Sequence, residues 1–480
     1  MTQDGIKLLV IWIGITFTSS VSGAEENRQR LLETQLLPAV GFTEHPTPRW
    51  SVTQRMHRYR VPGLSVALIS NGVIEWTAAY GNSTVTDGRP IQTSTLFQSA
   101  SISKWVTAVG VLKLAEEKNL SLDKSVNQYL KNWVLRNADN RVNDSVTLRH
   151  LLAHQSGISV RSFDGYEKGE SMPSALQILD GLSPANSAPI RVTHEAGEQF
   201  QYSGGAYQVI QQLIEDSNGE TFATYMQKAV FQPAKMNHSS YAFTPEEDQQ
   251  RHTACGHDFN GESVLNCGRI YPELAAAWLW STPTDLAHLG LAMIDAAHGR
   301  KGALLSAERM REMLTPNNHR MGLGAGAHGE GQNLHFDHSG WTHGFRSYFV
   351  VYPYLGKGIV VMANANGGHE LINEVVRSAA LTYQWPDFKV PEKTLAKLSD
   401  AQLEAMAGEY LVGSYGFSLQ VSRAENYLQI DTPRGSRYSF YPISERQFIA
   451  LEDGSLLSFS TDDSSSGMAL NVWHMNARKK

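Results

Sequence analysis

Phe97-Gln98-Ser99-Ala100-Ser101-Ile102-Ser103-Lys104-Trp105-Val106 is the stretch on which the reading of this chain turns. A short β-rich run (Thr95-Leu96-Phe97) gives way to small residues. A helical pattern then begins, with Ile102, Trp105, Val109 and Leu112 spaced for one buried face. Ser101 falls at the helix N-terminus and Lys104 one turn further on. Residues three apart share a helix face, so the hydroxyl and the amine can meet. The same helix end offers free backbone N–H groups and the positive end of the helix dipole. Such a position suits a nucleophile whose attack creates an oxyanion.

The surrounding chain is that of an ordinary globular protein. With 480 residues it can bury a large core and form more than one domain. A net charge of −6 gives no electrostatic case for nucleic acid or for an anionic membrane surface, so both are set aside as partners. The first residues differ. An apolar run, Leu8 to Phe17, follows Lys7, and Ser22-Gly23-Ala24 precedes Glu25-Glu26. This pattern predicts a secretory signal peptide over residues 1–24, although Asp4 weakens its basic start. The run is short for a membrane span, so no stable span is expected after cleavage. The expected location is periplasmic or secreted.

Cys255 and Cys267 are the two cysteines. Phe259-Asn260-Gly261-Glu262 between them is a hairpin signal, and a turn centred on Gly261 sets the two cysteines opposite each other. In an oxidising compartment they are expected to form a disulfide; the alternative is a pair of buried thiols. Without histidines at ligand spacing they do not point to zinc, and no metal or other cofactor is expected.

Along the chain, Leu64 to Ser70 and Val73 to Ala79 form a hairpin around Asn71-Gly72. Residues 145–330 carry mostly helix and loop signals. Strand patterns return at Leu334–Ser339, Ser347–Tyr352 and Gly358–Ala363, followed by an amphipathic helix through Leu371, Ile372, Val375, Val376 and Ala379. Strands at both ends with helices between imply one sheet built from distant segments, with a helical insertion packed on it and a cleft at the boundary. Pro386 to Pro391 has linker composition. Beyond residue 400, a short helix (Asp400–Ala407) leads into six short alternating runs, which predict a small antiparallel barrel or sandwich. The expected organisation is therefore 1–24 signal peptide, 25–385 main domain, 386–399 linker and 400–480 a β-rich domain.

S-x-x-K alone is weak evidence, because Ser121-Leu-Asp-Lys124 matches it too. Taken singly, Ser101 could be a helix cap and Lys104 a solvated charge. Two later stretches change the balance. One is Gln199-Phe200-Gln201-Tyr202-Ser203-Gly204-Gly205, which presents a tyrosine just before a helix. The other is His338-Ser339-Gly340-Trp341, at the end of a strand, where small residues let a ligand lie along the strand edge. His150, His154 and His194 read as packing or capping residues, and Gly322 to Gly326 lies in no strand–loop–helix unit that would cradle phosphate.

In this order the stretches resemble the serine β-lactamase and penicillin-binding-protein superfamily. The likeness is to its β-lactamase-related branch, which includes class C-like enzymes, D-aminopeptidases and esterases. Val61-Pro-Gly-Leu-Ser-Val-Ala67, Thr147 to Gly157 and Trp280-Ser-Thr-Pro-Thr-Asp-Leu286 extend the likeness over residues 45–385. The resemblance implies an α+β fold: an antiparallel sheet flanked by helices, plus a helical subdomain, with the C-terminal part as a small appended β-barrel. It implies that Ser101 is acylated while Lys104 and Tyr202 move protons. A lysine in water titrates near about 10.4, so one that takes a proton at neutral pH must be desolvated or stand beside another cation. His338, where many relatives carry lysine, would donate to a substrate carboxylate or to Tyr202. Ser339, Gly340 and Trp341 would line the substrate, with the backbone N–H groups of Ser101 and Trp341 as the oxyanion hole. Gly204 departs from the usual Tyr-x-Asn, whose asparagine helps hold the substrate amide. The expected function is a serine hydrolase acting on an ester or amide of a small molecule or peptide. A β-lactamase or D,D-carboxypeptidase, and an inactive binding protein that keeps the fold, are the alternatives.

Overall fold

The computed structural model describes residues 18–85, 88–242, 252–317, 319–433, 435–461 and 468–480. Most of the expected signal peptide lies outside these residues. What is described of it is the start of a helix, α1 (Thr18–Thr34), that runs through the expected cleavage point at Ala24. Among the described residues no helix is long and apolar enough to cross a membrane.

The main elements follow in chain order: α2 (Val52–Tyr59), β1 (Gly63–Ser70), β2 (Val73–Gly81), α3 (Ile102–Glu117), α4 (Gly204–Asn218), α5 (Pro283–Ala297), β3 (Gly326–His328), β4 (His335–Thr342), β5 (Phe345–Tyr352), β6 (Lys357–Ala363) and α6 (Gly368–Thr382). Six strands form one antiparallel sheet in the order β2-β1-β6-β5-β4-β3. The hairpin β1–β2 turns at Asn71 and Gly72, both at positive φ (51° and 72°), as a two-residue turn requires when its twist must match that of the strands.

Because side chains alternate across a strand, the fully buried β1 feeds two cores. Ala67 and Ile69 join Trp105, Leu286 and Met293 on the α3 and α5 side. Leu64, Val66 and Leu68 join Leu371, Val375 and Val376 of α6 on the other. Residues 118–282, α4 among them, make the expected helical insertion, which packs against α3. Ser121 to Asp123 form a turn, and the 3₁₀ segment that follows (Val126–Gln128) is capped by Ser125. The segment expected as a linker contributes two residues, Glu392 and Lys393, that pair parallel with Gly41 and Phe42.

After a capped helix at Asp400–Met406, eight strands close into an antiparallel barrel: β7 (Gly408–Val412), β8 (Phe417–Arg423), β9 (Leu428–Asp431), β10 (Arg437–Pro442), β11 (Gln447–Ala450), β12 (Leu456–Thr461), β13 (Met468–Val472) and β14 (Met475–Lys479). Pairing of β7 with β14 closes it. Inward residues such as Tyr410, Val421, Ile430, Phe440 and Leu470 fill the interior. The barrel docks on the main domain: Tyr438 Oη donates to Glu370 at 2.6 Å, Arg58 pairs with Glu452 at 3.3 Å, and Arg377 donates to the Glu452 carbonyl.

Candidate active site

Three distant segments meet at one end of α3. The first is the turn before it. Ala100 sits at φ 53°, a left-handed conformation that costs a residue with a Cβ of order 1–3 kcal/mol and is found where the surroundings over-determine it. The bend lifts Ser101 to the helix N-terminus with its hydroxyl capping nothing. Trp105, one turn beyond, is fully buried and stacks on Phe349 at 4.0 Å and packs on Phe336 at 5.6 Å, which pins α3 to β4 and β5.

Lys104 is almost wholly buried, not a solvated charge. Its Nζ donates to Ser101 Oγ at 3.2 Å and to the Ala276 carbonyl at 2.7 Å, so the second bond aims the amine at the hydroxyl. The other S-x-x-K has no such partner: Ser121 Oγ accepts from the Asp123 N–H, and Lys124 is exposed.

The second segment carries Tyr202, whose ring lies 5.1 Å from Lys104 Nζ. It is set by the helix end at His154. The Gln201 N–H donates to the His154 carbonyl, the Ser203 N–H donates to His154 Nδ1 at 3.1 Å, and the imidazole packs on Tyr202 at 4.3 Å. His154 is fully buried, and desolvation together with the nearby Lys104 charge holds it neutral, far below its ordinary titration range. The sequence marks His154 as a packing residue; that it packs on Tyr202 has no signature in the sequence. Gly204 begins α4, and a Cβ there would lie 3.0 Å from the Phe163 ring and 3.2 Å from the Arg161 carbonyl. Phe163 therefore crowds the place from which an asparagine side chain would project.

The third segment is β4. Gly340 passes directly over the turn before Ser101. A Cβ at 340 would intrude well inside 3.0 Å of the Ser99 carbonyl and Ser347 Oγ. Ser347 Oγ itself donates to the Ser99 carbonyl at 2.9 Å, tying β5 to the turn before Ser101. β3 pairs with His335 to Asp337, so among the described residues the outer edge of β4 from His338 onward has no strand beside it. Ser339 and Trp341 are exposed along it.

His338 is half-buried beside Tyr202, with ring centroids 6.3 Å apart. Its Nδ1 lies 2.6 Å from the Ser339 carbonyl, which only accepts, so Nδ1 carries the proton. Desolvation, and then Lys104, push the ring down to about 4. A neutral His338 with its proton so engaged presents a lone pair at Nε2. In that state Nε2 can accept a hydrogen bond and cannot donate one, whereas the sequence reading expects a donor to a substrate carboxylate or to Tyr202.

Cys255 and Cys267 are joined. The loop between them turns at Asp258 to Glu262 with Gly261 at φ 80°. The clip backs the β4–β5 turn: His257 N–H donates to the Gly344 carbonyl, and Gly256 packs against Gly344. Among the described residues no cluster of three or more potential metal ligands is present.

Comparison with known proteins shows the family and the fold. Residues 51–383 match the family model described as Beta-lactamase. The chain is similar to Protein flp of Staphylococcus aureus (strain N315), at 25% identity over 330 residues that cover 65% of this chain and 61% of the relative. It thus spans less than two thirds of that relative's length. It is also similar to Penicillin-binding protein 4* of Bacillus subtilis (strain 168), at 24% identity, covering 80% of this chain and 87% of the relative. Among solved structures, the octameric penicillin-binding protein homologue from Pyrococcus abyssi superposes with a TM-score of 0.58 at 23% identity, covering 89% of this chain and 98% of the other. SurE superposes with 0.57 at 19%, covering 96% and 100%.

Proposed function

This chain belongs to the beta-lactamase family, and on that premise we propose that it is a serine hydrolase, exported from the cytoplasm, that cleaves an ester or amide through an acyl-enzyme on Ser101. The observation that carries the reading is the buried Lys104 amine, aimed at Ser101 Oγ by the Ala276 carbonyl. Ser101 Oγ attacks the substrate carbonyl, and its proton passes to the Lys104–Tyr202 pair. The Ser101 and Trp341 N–H groups hold the oxyanion. Tyr202, beside His338, returns the proton to the leaving group, and water then hydrolyses the ester intermediate.

Two features favour an uncharged leaving group over the carboxylate-bearing one of a β-lactam or a D-alanyl-D-alanine peptide. His338 presents a lone pair rather than a charge. Phe163 crowds the place beside Gly204. The preferred substrates are therefore esters and small amides, including D-amino-acid amides, with β-lactam turnover as the rival reading. The disulfide is consistent with an oxidising compartment.

The test is a substrate panel: a chromogenic cephalosporin, a p-nitrophenyl ester and D-amino-acid p-nitroanilides, with intact mass measured after a fluorophosphonate. The expected result is ester or anilide turnover, with an adduct that is absent from Ser101→Ala. Rapid cephalosporin turnover without ester hydrolysis would sink the preference. No adduct and no turnover across the panel would mean a binding protein that keeps the fold.

A further inference from the structure

A cavity of about 790 Å³ lies between the main domain and the barrel, and no step of the mechanism above uses it. Its near wall is the β4 edge itself, at Ser339, Gly340 and Trp341. Its far wall is barrel: Tyr415, Phe417 and Trp473. Phe259, on the disulfide-clipped loop, closes one side. The volume falls within the range of sites that take drug-sized molecules, and such sites are lined chiefly by aromatic groups with a few polar ones.

We propose that this cavity receives the acyl portion of the substrate, and that the barrel thereby selects an extended, uncharged, aryl-bearing acyl group. The inference rests on the hydrolase reading above. Direction along the strand carries it. Tyr202 and His338 lie at the 338 end of the edge, so the leaving group sits there. The acyl side then runs the other way, past Trp341, and over the edge into the cavity. Trp341 is 64% exposed at this rim, where it continues the aromatic lining of the cavity up to the strand edge. The Arg346 guanidinium lies 4.0 Å from its ring and fixes the ring's back face. Tyr415, 67% exposed, faces the same space from the barrel with Phe417 stacked beside it.

Charge sets the chemistry of the distal end. Two carboxylates line the cavity against the one guanidinium of Arg346: Glu370 of α6, which accepts from Tyr438 Oη, and Asp453 of the barrel, which accepts from Trp473 Nε1 and from the N–H and Oγ of Ser455. Two carboxylates there repel an anionic terminus and tolerate a neutral one.

The test compares kcat/KM for three p-nitrophenyl esters: acetate, 6-phenylhexanoate and the monoester of adipic acid. The last spans the same six carbons and ends in a carboxylate where the other carries its phenyl ring. The expected ratio of phenylhexanoate to acetate is at least tenfold, with no gain for the adipate. Tyr415→Ala and Phe417→Ala are each expected to reduce that ratio at least fivefold. Tyr415 is exposed, so its variant keeps the fold. A ratio near one, an adipate gain equal to the phenylhexanoate gain, or a ratio that both variants leave unchanged would overturn the cavity assignment while the hydrolase reading stands. If no ester turns over and no fluorophosphonate adduct forms, the hydrolase reading fails instead. Binding of the neutral dye N-phenyl-1-naphthylamine, followed by fluorescence, then decides the cavity: weakening at least fivefold in Tyr415→Ala supports it, and equal binding overturns it.

Discussion

Gly340→Ala is the most searching single substitution, because it adds one methyl group at the point where β4 touches the turn before Ser101. The added carbon would intrude well inside 3.0 Å of the Ser99 carbonyl, and of Ser347 Oγ. The serine hydroxyl can rotate away. The Ser99 carbonyl cannot, since Ser99 is fully buried, its N–H is bonded to the Leu279 carbonyl, and Ala100 after it already holds a left-handed conformation. The strand must therefore withdraw by on the order of 0.5–1 Å in an interior that is close-packed. Trp341, the next residue, moves with it and carries its N–H away from the oxyanion. A misplacement of about 1 Å at a reacting centre costs about a hundredfold in rate, similar to losing one oxyanion donor. Overpacking of this kind also costs about 1–3 kcal/mol of stability. The expected result is a fall of about 30- to 100-fold in the rate of fluorophosphonate labelling at Ser101 and in kcat/KM for p-nitrophenyl acetate, with a modest drop in Tm. Adding Ser347→Gly should not rescue the rate, because the Ser99 carbonyl remains in place. Labelling within threefold of the parent, at an unchanged Tm, would refute the account of how β4 meets the turn.

The remaining expectations concern the nucleophile, a histidine and a buried ion pair. Ser101→Ala should abolish fluorophosphonate labelling while Ser121→Ala labels at the parental rate; a comparable loss in folded Ser121→Ala would point to the wrong S-x-x-K. His338, faced by Lys104, Tyr202 and Asp337, titrates at about 4 in the folded chain against about 6.5 when unfolded. The unfolded chain therefore binds more protons between these values. The stability this group contributes is complete above about pH 6.5 and is lost as pH falls through 4. Histidine ring NMR, assigned with His338→Gln, should find His338 still neutral at pH 5, and a midpoint near 6.5 would contradict the burial argument. Glu374, fully buried, accepts from Arg55 Nε at 2.8 Å, and Arg55 is itself buried. Glu374→Ala leaves that guanidinium unpaired and should cost about 3–5 kcal/mol in urea denaturation; a loss below about 1 kcal/mol would mean that Tyr59 and Trp50 suffice to hold it.

Much of this architecture is written locally. Asn71-Gly72 specifies its hairpin through backbone preference alone, and the strand–helix alternation around Ser101 and His338 puts both at element ends. The barrel is less legible. Six runs are apparent, but β14 (Met-Asn-Ala-Arg-Lys) buries only Ala477 among polar neighbours, and β7 follows a helix without a turn signal. Each pairs with its neighbour in sequence, β7 with β8 and β14 with β13, and the pairing of the two with each other closes the barrel, a non-local gain that no window of sequence contains. The same holds at the site. Phe163 lies 41 residues before Gly204, so the missing asparagine is visible in the sequence and the ring crowding its place is not. The protonated nitrogen of His338 depends on the strand geometry that sets Nδ1 against the Ser339 carbonyl.

The order of strands in the main sheet bears on how the molecule comes into being. β1, from the first hundred residues, is hydrogen-bonded to β6, nearly three hundred residues later, and β4 and β5 lie beyond β6. A chain emerging in sequence exposes the Ser101 helix long before it has the strand on which that helix is pinned. Closing so long a loop costs entropy before the pairing returns anything, which makes such a sheet slow to form. Ala100 has no reason to hold its left-handed bend until Gly340 and Ser347 arrive over it. On the proposed mechanism, a truncated or half-emerged chain thus carries Ser101 as an ordinary serine, and its reactivity is expected only once the two ends of the domain have met.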